Sequence, residues 1–117
     1  MARGSVWQNN GDCIGADKDS GDVWIELGGK LHLRPPDIAA KRAFQRGEAI
    51  DRPLPYLERN KVIVRSSRAM VATPKGAEEL RSGTWSTVRF ARKLELPILI
   101  IYPDGECVFE NWQRKAA

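Results

Sequence analysis

The sequence holds two cysteines and one histidine, and this scarcity sets the first limits on its chemistry. Cys13 and Cys107 stand far apart with no Cys-x-x-Cys spacing, which signals neither a thiolate zinc site nor a disulfide framework, so both read as reduced thiols. His32 lies in an apparent strand with no second imidazole near it in sequence, and it reads as a strand residue rather than a metal ligand. Long apolar runs are missing too. The longest, Leu96 to Tyr102, falls far short of the roughly 20 residues a membrane-spanning helix needs. No apolar signal core opens the chain, so the expected compartment is the cytoplasm, with no membrane partner. Internal repeats, low-complexity tracts and linkers are absent as well. One domain over residues 1–117 is expected, long enough to bury a core.

A strong charge of one sign is also lacking: 19 Lys+Arg against 15 Asp+Glu give +4, which alone says little about partners. The distribution is more informative. Residues 57–93 carry nine basic residues against three acidic ones, a local +6, and the remainder sums to −2.

That basic region contains the stretch on which the chain centres, Arg81-Ser-Gly-Thr-Trp-Ser-Thr-Val-Arg-Phe-Ala-Arg-Lys93. It lies between two apolar runs, Ala69 to Ala72 and Ile98 to Ile101, each short enough for a buried parallel strand. The order is strand, loop, helix, strand. A loop that leaves the carboxyl end of such a strand and enters a helix is where open α/β sheets bind ligands, because backbone N–H groups and the positive end of the helix dipole meet there. Ser82, Gly83 and Thr84 suit an anion seat, and they equally suit an ordinary Ser/Thr helix cap. In the helix from Thr84, Val88 and Ala91 should face the sheet, with Arg89, Arg92 and Lys93 on the open side. Trp85 reads as core or as a stacking surface for a base.

Elsewhere, Val6-Trp7-Gln8 suggests a short strand, residues 17–28 a helix weakened by Gly21, and Leu31-His32-Leu33 a strand stopped by Pro35-Pro36. A helix is expected from Asp37 to about Arg46, capped by Asp37 with Ile38, Ala39 and Phe44 inward, followed by a loop over 47–55. Residues 56–64 are helical at first and β-branched at the end, which propensity leaves ambiguous; if they form a helix, Arg59 and Asn60 can face the carboxyl edge of a sheet. The tail 107–112 alternates like an edge strand. The loop Gly11-Asp12-Cys13-Ile14-Gly15-Ala16-Asp17 brings two carboxylates together. They could meet a metal, a ribose hydroxyl or a catalytic proton, or form Asx turns and helix caps.

Three segments, Gly11 to Asp17, Pro55-Tyr56-Leu57-Glu58-Arg59-Asn60, and Arg81 to Thr87 followed by Arg89 to Lys93, resemble the SLOG superfamily. This Rossmann-like group includes the Lonely Guy phosphoribohydrolases and the DprA-like and YspA-like proteins. The resemblance covers roughly residues 11–105. It implies an α/β fold, a Rossmann-like three-layer sandwich with a small, mostly parallel sheet, and a nucleotide or phosphate pocket at the sheet's carboxyl edge. Ser82, Gly83, Thr84 and Thr87 would then contact phosphate, with Asn60 beside them and Arg59 or Arg81 as charge partner. Asp12, Gly15 and Asp17 would contact sugar or base. No cofactor is implied beyond Mg²⁺ accompanying a phosphorylated ligand.

The sequence departs from that pattern twice. The Lonely Guy motif Pro-Gly-Gly-x-Gly-Thr-x-x-Glu carries a glutamate where this chain has Thr87, and a hydroxyl cannot replace a carboxylate in acid/base work at neutral pH. A binding protein is therefore expected before an enzyme. The alternatives are a nucleoside-phosphate hydrolase of N-glycosidase type, using Asp12 or Asp17, and a single-stranded nucleic-acid binder using residues 57–93 with Trp85. Relative to the superfamily the chain also reads as amino-terminally truncated, lacking the usual first strand and helix. Val6-Trp7-Gln8 could be recruited in their place, the sheet could close directly, or a second copy could cover the edge, and a homo-oligomer is expected.

Overall fold

The computed structural model describes residues 6–112, so the expectation of no signal core at Met1–Ser5 lies outside the described residues. The chain is an α/β protein whose described residues form three α-helices and two three-stranded sheets. It divides into two compact units, Met1–Ser66 and Ser67–Ala117.

The first unit runs β1 (Trp7–Asn10), α1 (Ala16–Glu26), β2 (Lys30–Leu33), β3 (Ala49–Ile50) and α2 (Tyr56–Arg65). β1 pairs in parallel with β2, Trp7 opposite Lys30 through Asn10 opposite Leu33, and β2 pairs in parallel with β3, Leu33 opposite Ile50. Parallel neighbours need a crossover, which α1 supplies for the first pair. Strand alternation sets the faces: Leu31 and Leu33 are fully buried while Lys30 and His32 on the other face are half-buried. Gly28, at φ +87°, takes the left-handed conformation that ends the turn after α1. Gly21 has a packing reason to interrupt α1. A Cβ there would lie 2.1 Å from Gln45 Oε1 and 3.3 Å from Asn10 Nδ2, so glycine lets both side chains reach the helix surface.

The helix expected over 37–46 does not form. Its place holds one 3-10 turn, Ala39–Lys41, and Ile38 and Phe44 are exposed rather than inward. Asp37 caps nothing; its N–H donates to the Leu54 carbonyl at 3.0 Å. The cause is long-range. Ala43 N–H donates to the Asp12 carbonyl at 2.7 Å and Gln45 N–H to Asp12 Oδ1 at 2.9 Å, so the donors a helix would use within itself are drawn to the 11–15 loop. The expected loop 47–55 also contains β3, whose two residues are too few to leave a periodic signal.

The second unit runs β4 (Met70–Ala72), α3 (Gly83–Lys93), β5 (Ile98–Ile101) and β6 (Cys107–Glu110). β4 pairs in parallel with β5 across the α3 crossover, and β6 returns antiparallel on β5 with Ile98 opposite Glu110. The hairpin between them closes with Tyr102 N–H on the Glu106 carbonyl and Gly105 at φ +88°. α3 buries Trp85, Val88 and Ala91, spaced three residues apart as a helix face requires, and packs on β4 and β5, whose Ala72, Ile98 and Ile100 are buried. The strand–helix–strand order expected for 69–101 is present, and the sheets are parallel apart from the β5–β6 pair.

Candidate functional site

In the first unit, β1 delivers Asn10 to its carboxyl end, and the chain turns through Gly11 to Gly15 into α1. Asn10 Oδ1 accepts the Asp12 N–H at 2.7 Å, an Asx turn that helps hold Asp12 at φ +54°. Asp12 is 0% exposed. Its carboxylate accepts from Gln45 N–H and Gln45 Nε2 and pairs with Arg42 at 3.1 Å, so it is engaged within the chain and fastens residues 42–45.

Arg59, in the first turn of α2, is 3% exposed and reaches the carboxyl ends of β1 and β2. Its Nη1 donates to the Gly11 carbonyl at 2.6 Å and to the Arg34 carbonyl at 3.3 Å, and its Nε donates to Asn60 Oδ1 at 2.7 Å. Arg59 Nη1 and the Asp17 carboxylate flank Gly11: a Cβ there would lie 2.6 Å from Asp17 Oδ2 and 2.8 Å from Arg59 Nη1. Asp17 Oδ2 also accepts the Cys13 N–H at 3.1 Å. Burial pushes the Asp17 carboxyl up from its usual value, against the Cys13 N–H and the Arg59 charge, which pull it down. Burial likewise raises the Cys13 thiol despite Arg59 beside it, which disfavours the reactive thiolate. Gly15, at φ +103°, precedes α1 on the exposed side of the loop. The structure thus brings Asp12, Asp17, Arg59 and Asn60 into one region beyond the carboxyl ends of β1 and β2.

In the second unit, Ser82 caps α3, its Oγ accepting the Trp85 N–H at 3.2 Å and its carbonyl accepting the Ser86 N–H at 2.9 Å. The cap alternative is therefore realised at Ser82. Thr87 Oγ1 donates back to the Gly83 carbonyl at 2.9 Å, so its hydrogen is used within the helix. Arg81 is exposed and makes no ion pair among the described residues. The loop before it is fastened to α3. Arg89 donates to Glu78 and to the carbonyls of Glu79 and Leu80, while Arg92 joins Glu78 to Glu110. These bonds hold the Glu78 and Glu110 carboxyls below their usual values. An open cleft of about 540 Å³ lies beside this loop, lined by Ala77, Glu78, Tyr102, Pro103, Asp104 and Glu106.

Of the two readings of Trp85, core is the one realised: it is 2% exposed, its Nε1 donating to the Gly76 carbonyl at 3.3 Å, and it cannot serve as a stacking surface. One expectation is corrected here. Arg89 and Arg92 do not form an open basic face, because Glu78 and Glu110 neutralise them. Their partners lie 11 to 18 positions away in sequence, outside the helical spacing that reveals such pairs.

Among the described residues no group of three or more His, Cys, Asp or Glu side chains is placed to hold a metal ion, and no helix is long and apolar enough to cross a membrane. Comparison with protein-family models, curated proteins and solved structures finds no match to this chain.

Proposed function

We propose that this protein binds a nucleotide or another phosphorylated small molecule, with its anion at the amino end of α3. The observation that supports this is the donor count there. The first N–H groups of a helix have no acceptor within it. Ser82 takes those of Trp85 and Ser86, which leaves the Gly83 and Thr84 N–H groups without an acceptor among the described residues, next in sequence to the exposed Arg81 cation. The positive end of an 11-residue helix adds to their pull on an anion. Mg²⁺ accompanying the phosphate is compatible with this reading. Asp12 is enclosed, and Thr87 stands where the resembled enzymes carry their glutamate, so binding without turnover is the reading we favour.

The test is thermal stability against nucleoside mono-, di- and triphosphates and cyclic nucleotides at low and moderate salt. A ligand at about a hundred times its dissociation constant stabilises the fold by about 2.7 kcal/mol. The shift should survive moderate salt, since one or two phosphate contacts respond weakly to it. Gly83→Val should abolish the shift while the protein stays folded, because a β-branched side chain fills the approach to these N–H groups. A Gly83→Val protein that still responds removes this loop from the account.

Assembly and compartment belong to the same proposal: a homo-oligomer in the cytoplasm. Val71, Leu99 and Phe109 lie in register across β4, β5 and β6 on the face away from buried Ile98 and Ile100, and Val71 and Phe109 are largely exposed. Trp112 stands edge-on to Phe109 and extends this apolar row. Light scattering across a wide concentration range should show more than one chain per particle; a monomer throughout overturns the assembly.

A further inference from the structure

Phe44 is 60% exposed, and its backbone sits at φ +53°. Bulky side chains rarely occupy that left-handed region, because Cβ crowds the neighbouring carbonyl, and they persist there only where surroundings over-determine the backbone. Here they do. The N–H groups on either side of Phe44, those of Ala43 and Gln45, both donate to Asp12, which also pairs with Arg42 and is enclosed. Three attachments to one buried residue thus hold an apolar ring out in solvent. The Arg42 guanidinium lies 4.4 Å from the ring centroid, so it covers one face and leaves the exposure to the other.

The nearest charges in sequence are basic. Residues 38–47 contain Lys41, Arg42 and Arg46, with Asp37 and Glu48 bounding them on either side. Arg42 is spent on Asp12, while Lys41 and Arg46 are exposed and make no ion pair among the described residues. An aromatic face backed by a guanidinium and flanked by unspent cations matches a planar base carried on a phosphate chain. An apolar protein pocket would have no use for the cations.

We propose that Phe44 is a stacking platform for a base of single-stranded nucleic acid, with Lys41 and Arg46 contacting the adjacent phosphates. This surface belongs to the first unit and stands independently of the anion seat at α3.

The test is anisotropy of a fluorescein-labelled oligothymidylate with the full chain, titrated between about 50 and about 200 mM salt. The native protein should bind, and less tightly as salt rises. Phe44→Asn, which tolerates the left-handed backbone, should weaken binding about 5- to 150-fold, the usual effect of losing one stacked base. Its thermal midpoint should stay level or rise, since the strain is relieved. Phe44→Trp should restore binding. Lys41→Ala and Arg46→Ala should each weaken binding and flatten its salt dependence. The proposal is overturned if the native protein does not bind at low salt, or if Phe44→Asn binds as the native chain does. It is also overturned if Phe44→Asn loses binding together with several degrees of midpoint, since the ring would then be a structural part.

Discussion

The Arg59 guanidinium donates to the Gly11 carbonyl at 2.6 Å across 48 residues of sequence, and so ties the first turn of α2 to the loop that opens α1. The same nitrogen reaches the Arg34 carbonyl, and Nε reaches Asn60, so one buried cation serves the ends of β1, β2 and α2. Arg59→Met should destabilise the protein by about 3–5 kcal/mol, because it strands buried carbonyls and leaves the Asp17 carboxylate without its neighbouring cation. Arg59→Lys should recover only part of this, since one ammonium cannot reproduce a fork of donors. Urea midpoints of the three proteins check it.

Asp17 gives a pH signature of definite sign. Its folded pKa is raised above the ordinary 3.8 by burial. Its contribution to stability is therefore full below 3.8 and is lost as pH rises through the folded value. Asp17→Asn should gain stability relative to the native chain as pH rises from about 4 to about 7. Urea unfolding at several pH values measures the difference. A gap that stays constant, or one that moves the other way, contradicts the placement of this carboxyl.

Ser82 and Thr84 separate capping from binding. Ser82→Ala removes the oxygen that accepts the Trp85 N–H and should cost about 1 kcal/mol of stability. Thr84 is not the cap, and Thr84→Ala should stay within about 0.5 kcal/mol of native stability while weakening the nucleotide-induced thermal shift. Equal destabilisation by the two changes would show that the cap is assigned to the wrong residue.

Gly21→Ala sets two effects against each other. Alanine gains about 1 kcal/mol of helix propensity in α1. The added Cβ would meet Gln45 Oε1 at 2.1 Å, and Gln45 is held in turn by Asp12 and Asn10. Overpacking of this kind costs about 1–3 kcal/mol, so the sum should be level to destabilising, and a clear gain in thermal midpoint would contradict it.

These contacts show where local reading of the sequence works and where it stops. The amphipathic spacing of Trp85, Val88 and Ala91, the alternation of Leu31 and Leu33, and the apolar run at 98–101 carry their own signal, and the elements lie where that signal puts them. The segment 37–46 carries a helical pattern too, yet its conformation is decided by an aspartate about 30 residues earlier, which periodicity cannot see. The basic excess over 57–93 is real as composition, and part of it is closed off from solvent partners. Arg59 is enclosed, and Arg89 and Arg92 are neutralised by distant glutamates. The αL backbone at Phe44 has no local sign either, since its neighbours are neither glycine nor a turn pair.

Phe44 can also be read as a wager against mutational drift. Under selection for a stable fold alone, a left-handed backbone and a solvent-facing ring both favour replacement by asparagine or glycine. A library of all residues at position 44, sorted for folded protein only, should therefore enrich those two over phenylalanine. The chain carries at this position a residue that folding alone would not choose, and an experiment that sorts for folding alone can expose that mismatch before any ligand is known.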